Sequence, residues 1–148
     1  MFKDRNIKLG ISPLGWTNDD MPHLGADIPF EQSIKEMTLA GFEGTEVGNK
    51  FPKDPFELNA TLKKYNLKIA SQWFSSFLCE TSYEENEKRF VEQLDYLESV
   101  GANLINVCEL TRNLFAVETS MFGNDKPIAS DDEWELLCSG LNKLGTVA

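Results

Sequence analysis

The feature that most constrains this chain is an alternation that recurs four times: a short apolar run of strand character, a polar loop, then an amphipathic helix. "IKLGIS" (7–12) is the first strand. Its helix begins near Pro29, a residue suited to a first turn, sets Phe30, Ile34, Met37 and Ala40 on one face, and stops at Gly41. "EGTEVG" (43–48) is the second strand, followed by "DPFELNATLKKYN" (54–66), where Asp54 can cap, Pro55 can start, and Leu58, Leu62 and Tyr65 line a face. "KIASQWF" (68–74) leads to a helix opened by Ser82 and Glu85 in capping-box spacing, running through Phe90, Leu94 and Leu97 to Gly101. "NLINV" (103–107) is the fourth strand. After a long loop, Ser130 and Glu133 repeat the capping-box spacing, and Trp134, Leu137, Leu141 and Leu144 follow until Gly145, with Trp134 read as packing.

Strands separated by helices must pair in parallel, through right-handed crossovers, with helices covering the sheet. Two architectures satisfy that order: an open parallel sheet, or part of a (β/α)8 barrel. No GxGxxG follows the first strand and no GxxxxGK[ST] occurs, so the nucleotide-binding open sheets lose their main signature. A closed barrel takes about 250 residues and eight units. This chain has 148 residues and four units, and "LNKLGTVA" reads as a helix end entering a fifth strand.

Composition narrows the partners. A formal net charge of −10 disfavours duplex DNA or an anionic membrane, whose phosphates would be repelled. The opening "MFKDRNIKLG" lacks the apolar core of a signal peptide, and no run approaches membrane-spanning length. Cys79, Cys108 and Cys138 are odd in number and lack CxxC spacing, so they read as reduced, mostly buried thiols of a cytoplasmic protein.

In parallel α/β sheets, function gathers at the carboxyl ends of the strands. Those ends here carry Trp16, Thr17, Asn18, Asp19 and Asp20; Glu46, Asn49 and Lys50; Gln72, Trp73 and Ser75; and Asn106, Glu109, Thr111 and Arg112. Amides and carboxylates suit hydroxyl groups, and an indole face suits the C–H surface of a ring, so the set points to a polyhydroxylated ligand. Each has a plainer reading. Asp19 and Asp20 also suit a turn before Pro22. Lys50 suits either a solvated loop or the counter-charge of Glu46. Glu109 could cap or pair within its own loop. His23, the only histidine, reads as a solvent-exposed loop residue. Glu46 is the strongest candidate, because a carboxylate flanked on its own side by Gly44 and Gly48 leaves room for a ligand. Neither HxxxH nor clustered carboxylate spacing marks a metal site.

The stretch "KLGISPLGWTNDDMPHLGADIPFEQSIKEMTLAGFEGTEVGNKFP" resembles the amino-terminal segment of the inosose dehydratase family, and "VGANLINVCELT" fits it more loosely. The resemblance implies a xylose-isomerase-like TIM barrel, a (β/α)8 fold of which residues 1–148 would be the amino-terminal half, its first four βα units. It implies a hydro-lyase of myo-inositol catabolism that removes water from 2-keto-myo-inositol (scyllo-inosose) to give a trihydroxycyclohexane-dione. Manganese or cobalt would polarise the ketone, with ligands expected from later strands outside this chain, and glutathione is a further expected cofactor. Glu46 and Glu109 would be catalytic. Asn18, Asp19, Asn49 and Lys50 would hold hydroxyls, and Trp16 and Trp73 would contact the ring. The half is expected to be inactive alone and to self-associate through its exposed first and fourth strands. The alternatives are a sugar isomerase or epimerase of the same superfamily, and a non-catalytic half that pairs with another chain.

Overall fold

The computed structural model describes residues 7–114, 123–124 and 126–148. The first six residues, read above for a leader, lie outside these. The element order is β1 (Gly10–Ile11), a 3-10 turn (Pro13–Gly15), α1 (Phe30–Leu39), β2 (Gly44–Glu46), α2 (Pro55–Lys64), β3 (Lys68–Ser76), α3 (Tyr83–Ser99), β4 (Ile105–Glu109) and α4 (Asp131–Val147). The strands form one parallel sheet in the order β1-β2-β3-β4, which leaves β1 and β4 at its edges.

Local chemistry sets most boundaries. β1 is two residues long because Pro13 follows at once and Ser12 caps the 3-10 turn. Pro29 stands at the N-cap of α1 rather than inside its first turn. Gly41, at φ +90°, ends that helix in a conformation that costs other residues energy. Asp54 accepts from the Glu57 N–H at 2.8 Å, and Ser130 with Glu133 completes a reciprocal capping box. Two expectations fail at α4. The helix runs through Gly145 to Val147, with Ala148 N–H on Leu144 O, so no fifth strand starts there. Trp134 is 55% exposed rather than packed. The cysteines are also less buried than expected: Cys138 is exposed and the other two are intermediate.

The chain divides into two compact units. The first comprises residues 1–73 and 96–106. Its core gathers Phe30, Ile34 and Met37 of α1, Leu58 and Leu62 of α2, Phe51, Leu67, Ile69, Leu97 and Val100. Fully burying each large side chain contributes about 1.5–3 kcal/mol, so this cluster fixes which face of the sheet meets the helices. Register then fixes the other face. Thr45 pairs with Ile69, but Glu46 pairs with Ser71, so Ala70 is an extra residue opposite β2. This bulge turns Ser71 to the same side as Glu46, away from the helices. Trp73, two residues further on, shares that parity, whereas Gln72 takes the opposite one.

The second unit comprises residues 74–95 and 107–148. Phe74 and Phe90 meet edge to face at 5.1 Å, and the Arg89 guanidinium lies 5.4 Å from the ring centres of Phe74 and Phe77. Asn86, fully buried, ties this unit together. Its Oδ1 accepts from Phe77 N and Arg89, and its Nδ2 donates to Thr81 Oγ1 and Ser82 O. Every polar group of that side chain thus has a partner.

Candidate functional site

In the first unit, the segment after β1 is folded on itself and fastened to the segment after β2. Asn18 Oδ1 accepts from the N–H groups of Asp20 (2.9 Å) and Met21 (2.8 Å), an Asx-type turn that sets the direction of Asp19. The Asp19 carboxylate accepts from Asn49 N at 3.3–3.4 Å, joining the two strand exits. Lys50 fastens them a second time: its Nζ donates to the carbonyls of Gly25, Ala26 and Ile28 at 2.8, 3.0 and 2.7 Å. Lys50 is therefore a clamp on the 25–28 backbone, not the counter-charge of Glu46. Gly25 sits at φ +70°, where a Cβ would fall 1.8 Å from Trp16 O, so only glycine allows this crossing. The space expected beside Gly48 is also filled, since a Cβ there would lie 2.6 Å from Pro13 Cγ.

The Glu46 carboxylate belongs to a three-membered hydrogen-bonded ring. Asn106 Nδ2 donates to Glu46 Oε1 (2.8 Å) and to Ser71 Oγ (3.1 Å), and Ser71 Oγ donates to Glu46 Oε1 (3.5 Å). All of these bonds fall on one carboxylate oxygen; among the described residues Oε2 accepts none. The Trp73 side chain, on the face of Ser71, is 47% exposed. Asp19 lies within electrostatic reach of Glu46. Partial burial of its carboxyl raises its pKa above the ordinary 3.8; the Asn49 N–H opposes this, Asp20 adds to it, Lys53 opposes it and Glu46 adds again.

Trp16 goes elsewhere. It packs against the helical core, and its indole N–H donates to Glu36 Oε2 at 2.6 Å. That bond, with one from Gln32, holds the Glu36 carboxyl below its usual range.

Glu109 lies in the second unit and both of its oxygens are committed there. Oε2 accepts from Ser76 Oγ (2.8 Å) and Leu78 N (2.9 Å), and Oε1 accepts from Thr111 N (3.1 Å) and the Thr111 hydroxyl. Burial pushes its carboxyl upward, but the four hydrogen bonds, the Thr111 hydroxyl foremost, outweigh it and hold the group below 4.5. Arg112, at φ +53°, pairs with Glu133 at 2.6 Å.

The structure thus brings Asp19, Asn49 and Glu46 together, adds Asn106 and Ser71, and uses Asn18, Lys50 and Trp16 as supports. Asn106 is legible in the sequence as a strand-end amide, though nothing there gives it a role. Ser71 carries no signal, because its direction comes from the bulge. Among the described residues, no three His, Cys, Asp or Glu side chains gather as metal ligands. No helix among them is long and apolar enough to cross a membrane.

No family model matches the chain. Curated relatives do. It is 52% identical over 139 residues to an inosose dehydratase of Lacticaseibacillus casei, covering 94% of this chain and 47% of that one. It is 50% identical over 149 residues to an inosose dehydratase of Clostridium botulinum (strain Eklund 17B / Type B), covering 100% of this chain and 50% of that one. Among solved structures, a xylose isomerase-like TIM barrel/4-hydroxyphenylpyruvate dioxygenase fusion protein aligns with a TM-score of 0.64 at 16% identity, over 95% of this chain and 20% of that one. The last likeness shows the fold alone, α/β of the TIM-barrel type. The chain spans about half the length of the curated relatives it matches.

Proposed function

We propose that this half-length relative of the inosose dehydratases carries part of the substrate-binding and proton-transfer apparatus of a hydro-lyase that eliminates water from 2-keto-myo-inositol. The observation that supports this reading is kinship at about half identity along the chain with proteins of that name. The geometry around Glu46 supplies the roles.

Elimination beside a ketone needs a base for the proton α to the carbonyl and an acid for the departing β-hydroxyl. Glu46 suits the base. Asn106 and Ser71 orient it through Oε1, and Oε2 is the oxygen left to take the proton. Asp19 suits the acid, because its raised pKa extends the range in which it holds a proton to give. In this reading Asn49 and the Asn106 amide would meet ring hydroxyls, and the half-exposed Trp73 ring would meet the C–H side of the cyclitol. Lys50 and Asn18 hold the Asp19 segment in place. Glu109, saturated by its four bonds, shapes its own loop rather than transferring a proton.

Manganese or cobalt would supply polarisation of the ketone. The described residues do not offer a ligand set for either. Glutathione is a further cofactor that the kinship suggests, and its role is not assigned to any of the described residues. The three thiols, none of them in a disulfide, fit a reducing compartment, and we read the chain as cytoplasmic.

The test is saturation-transfer NMR with 2-keto-myo-inositol on the wild-type chain and Glu46→Gln. Transfer to the ring protons that is competed by excess ligand, and lost in the variant, is expected. Equal transfer in both, or none in either, would refute the assignment of Glu46.

A further inference from the structure

Residues 16–25 form a loop closed at its neck. Trp16 O and Gly25 meet so closely that a Cβ on Gly25 would lie 1.8 Å from that oxygen, and beyond this crossing Asn18 N donates to Leu24 O at 3.3 Å. Every residue from Asp19 to Leu24 is exposed, so burial does not place the tip that carries Asp19. Its position is set where the neck is gripped. Lys50 holds one side, through the Gly25 carbonyl at 2.8 Å. On the other side the Trp16 indole lies against the helical core, and Glu36 Oε2 accepts its N–H at 2.6 Å.

Glu36 is oriented for this contact by its own helix. Gln32, one turn earlier on α1, donates to Oε1 at 3.0 Å, which leaves Oε2 to the indole. The bond to Trp16 is charge-assisted and spans 20 positions of the sequence. An indole held both by its apolar face and by its N–H has a fixed direction, and so does its backbone. The Trp16 N–H sits on Pro13 O at 2.8 Å, and the Trp16 carbonyl forms the crossing with Gly25. We propose that Glu36, on the exposed side of α1, is a positioning residue: through the Trp16 indole it sets the neck of the loop, and so holds the Asp19 carboxylate on the Asn49 N–H. The bearing of this on catalysis rests on the reading of Asp19 as the acid. The test needs no ligand, so the two can fail separately.

The experiment compares the wild-type chain, Glu36→Ala and Glu36→Gln by proton–nitrogen NMR and amide hydrogen exchange. Alanine favours a helix, so α1 should persist in the first variant, as circular dichroism checks. In Glu36→Ala the Trp16 indole N–H resonance should move toward that of a free indole. Exchange at the Asn49 amide should quicken at least about threefold, with Ile69 unchanged. Glu36→Gln, which keeps an oxygen for the indole, should return both signals to their wild-type values. An Asn49 amide indifferent to Glu36→Ala would overturn the proposal, even with the indole bond lost. So would an equal quickening at Ile69, which would make the effect a general loss of stability, or a Glu36→Gln that behaves as Glu36→Ala does.

Discussion

Glu46 and Glu109 look alike in the sequence, each a glutamate at the end of a parallel strand, and the structure treats them in opposite ways. Glu109 is surrounded on both oxygens by two backbone N–H groups and two hydroxyls, from Thr111 in its own loop and from Ser76 and Leu78 at the end of β3, and is held below its usual pKa. Glu46 is held through one oxygen by two side chains, Ser71 at a separation of 25 and Asn106 at 60. Beside it, Asp19 is raised rather than lowered. Donors on both oxygens make a structural carboxylate. A carboxylate oriented through one oxygen keeps the other for a ligand.

The contrast can be broken most forcefully at the support of the second unit. Asn86→Ala would strip four buried hydrogen bonds at once and should destabilise the chain by about 2–4 kcal/mol in urea denaturation, a loss under 1 kcal/mol showing that the network is dispensable. Glu109→Gln should cost about 1–3 kcal/mol, because an amide cannot accept on both sides. At the clamp of the first unit, Lys50→Met should cost about 1 kcal/mol and speed amide exchange at Asn49 more than at Ile69, a uniform change arguing against a local clamp. The smallest effect is expected at Glu46→Gln, within about 0.5 kcal/mol, since the amide oxygen can still accept from Asn106.

Acid titration sharpens the same contrast through its sign. The pKa of Glu109 is lowered on folding, so its stabilisation is complete above 4.5 and is lost as the pH falls through its folded value. Glu109→Gln should therefore lose less stability on acidification than the wild type. Asp19 is raised, so its neutral form is favoured below 3.8 and the folded state loses that advantage as the pH rises through the folded value. Asp19→Asn should gain on the wild type over that window. Parallel curves for the two variants would contradict the distinction.

Helices were the legible part of this fold. Asp54, Ser82, Ser130 and Gly41 mark ends through bonds confined to a few neighbouring residues, and such chemistry is readable from spacing. The Gly145 stop misled, because a glycine with open space around it can remain helical when nothing requires a turn. At the strand ends, residue types were legible and directions were not. The bulge at Ala70 decides where Ser71 and Trp73 face, and it arises from register against β2 rather than from the local sequence. Trp16 and Lys50 both have chemistries that suit a ligand; Glu36 and three backbone carbonyls, 20 or more positions away, claim them instead.

The most direct test of Glu46 as the ligand-facing carboxylate is the side-chain amide resonance of Asn106, followed by proton–nitrogen NMR as 2-keto-myo-inositol is added to the chain. A saturable shift of that resonance, accompanied by the Asn49 backbone amide and absent in Glu46→Gln, is the predicted result. A silent Asn106 amide, with the shifts gathered around Thr111 instead, would contradict it.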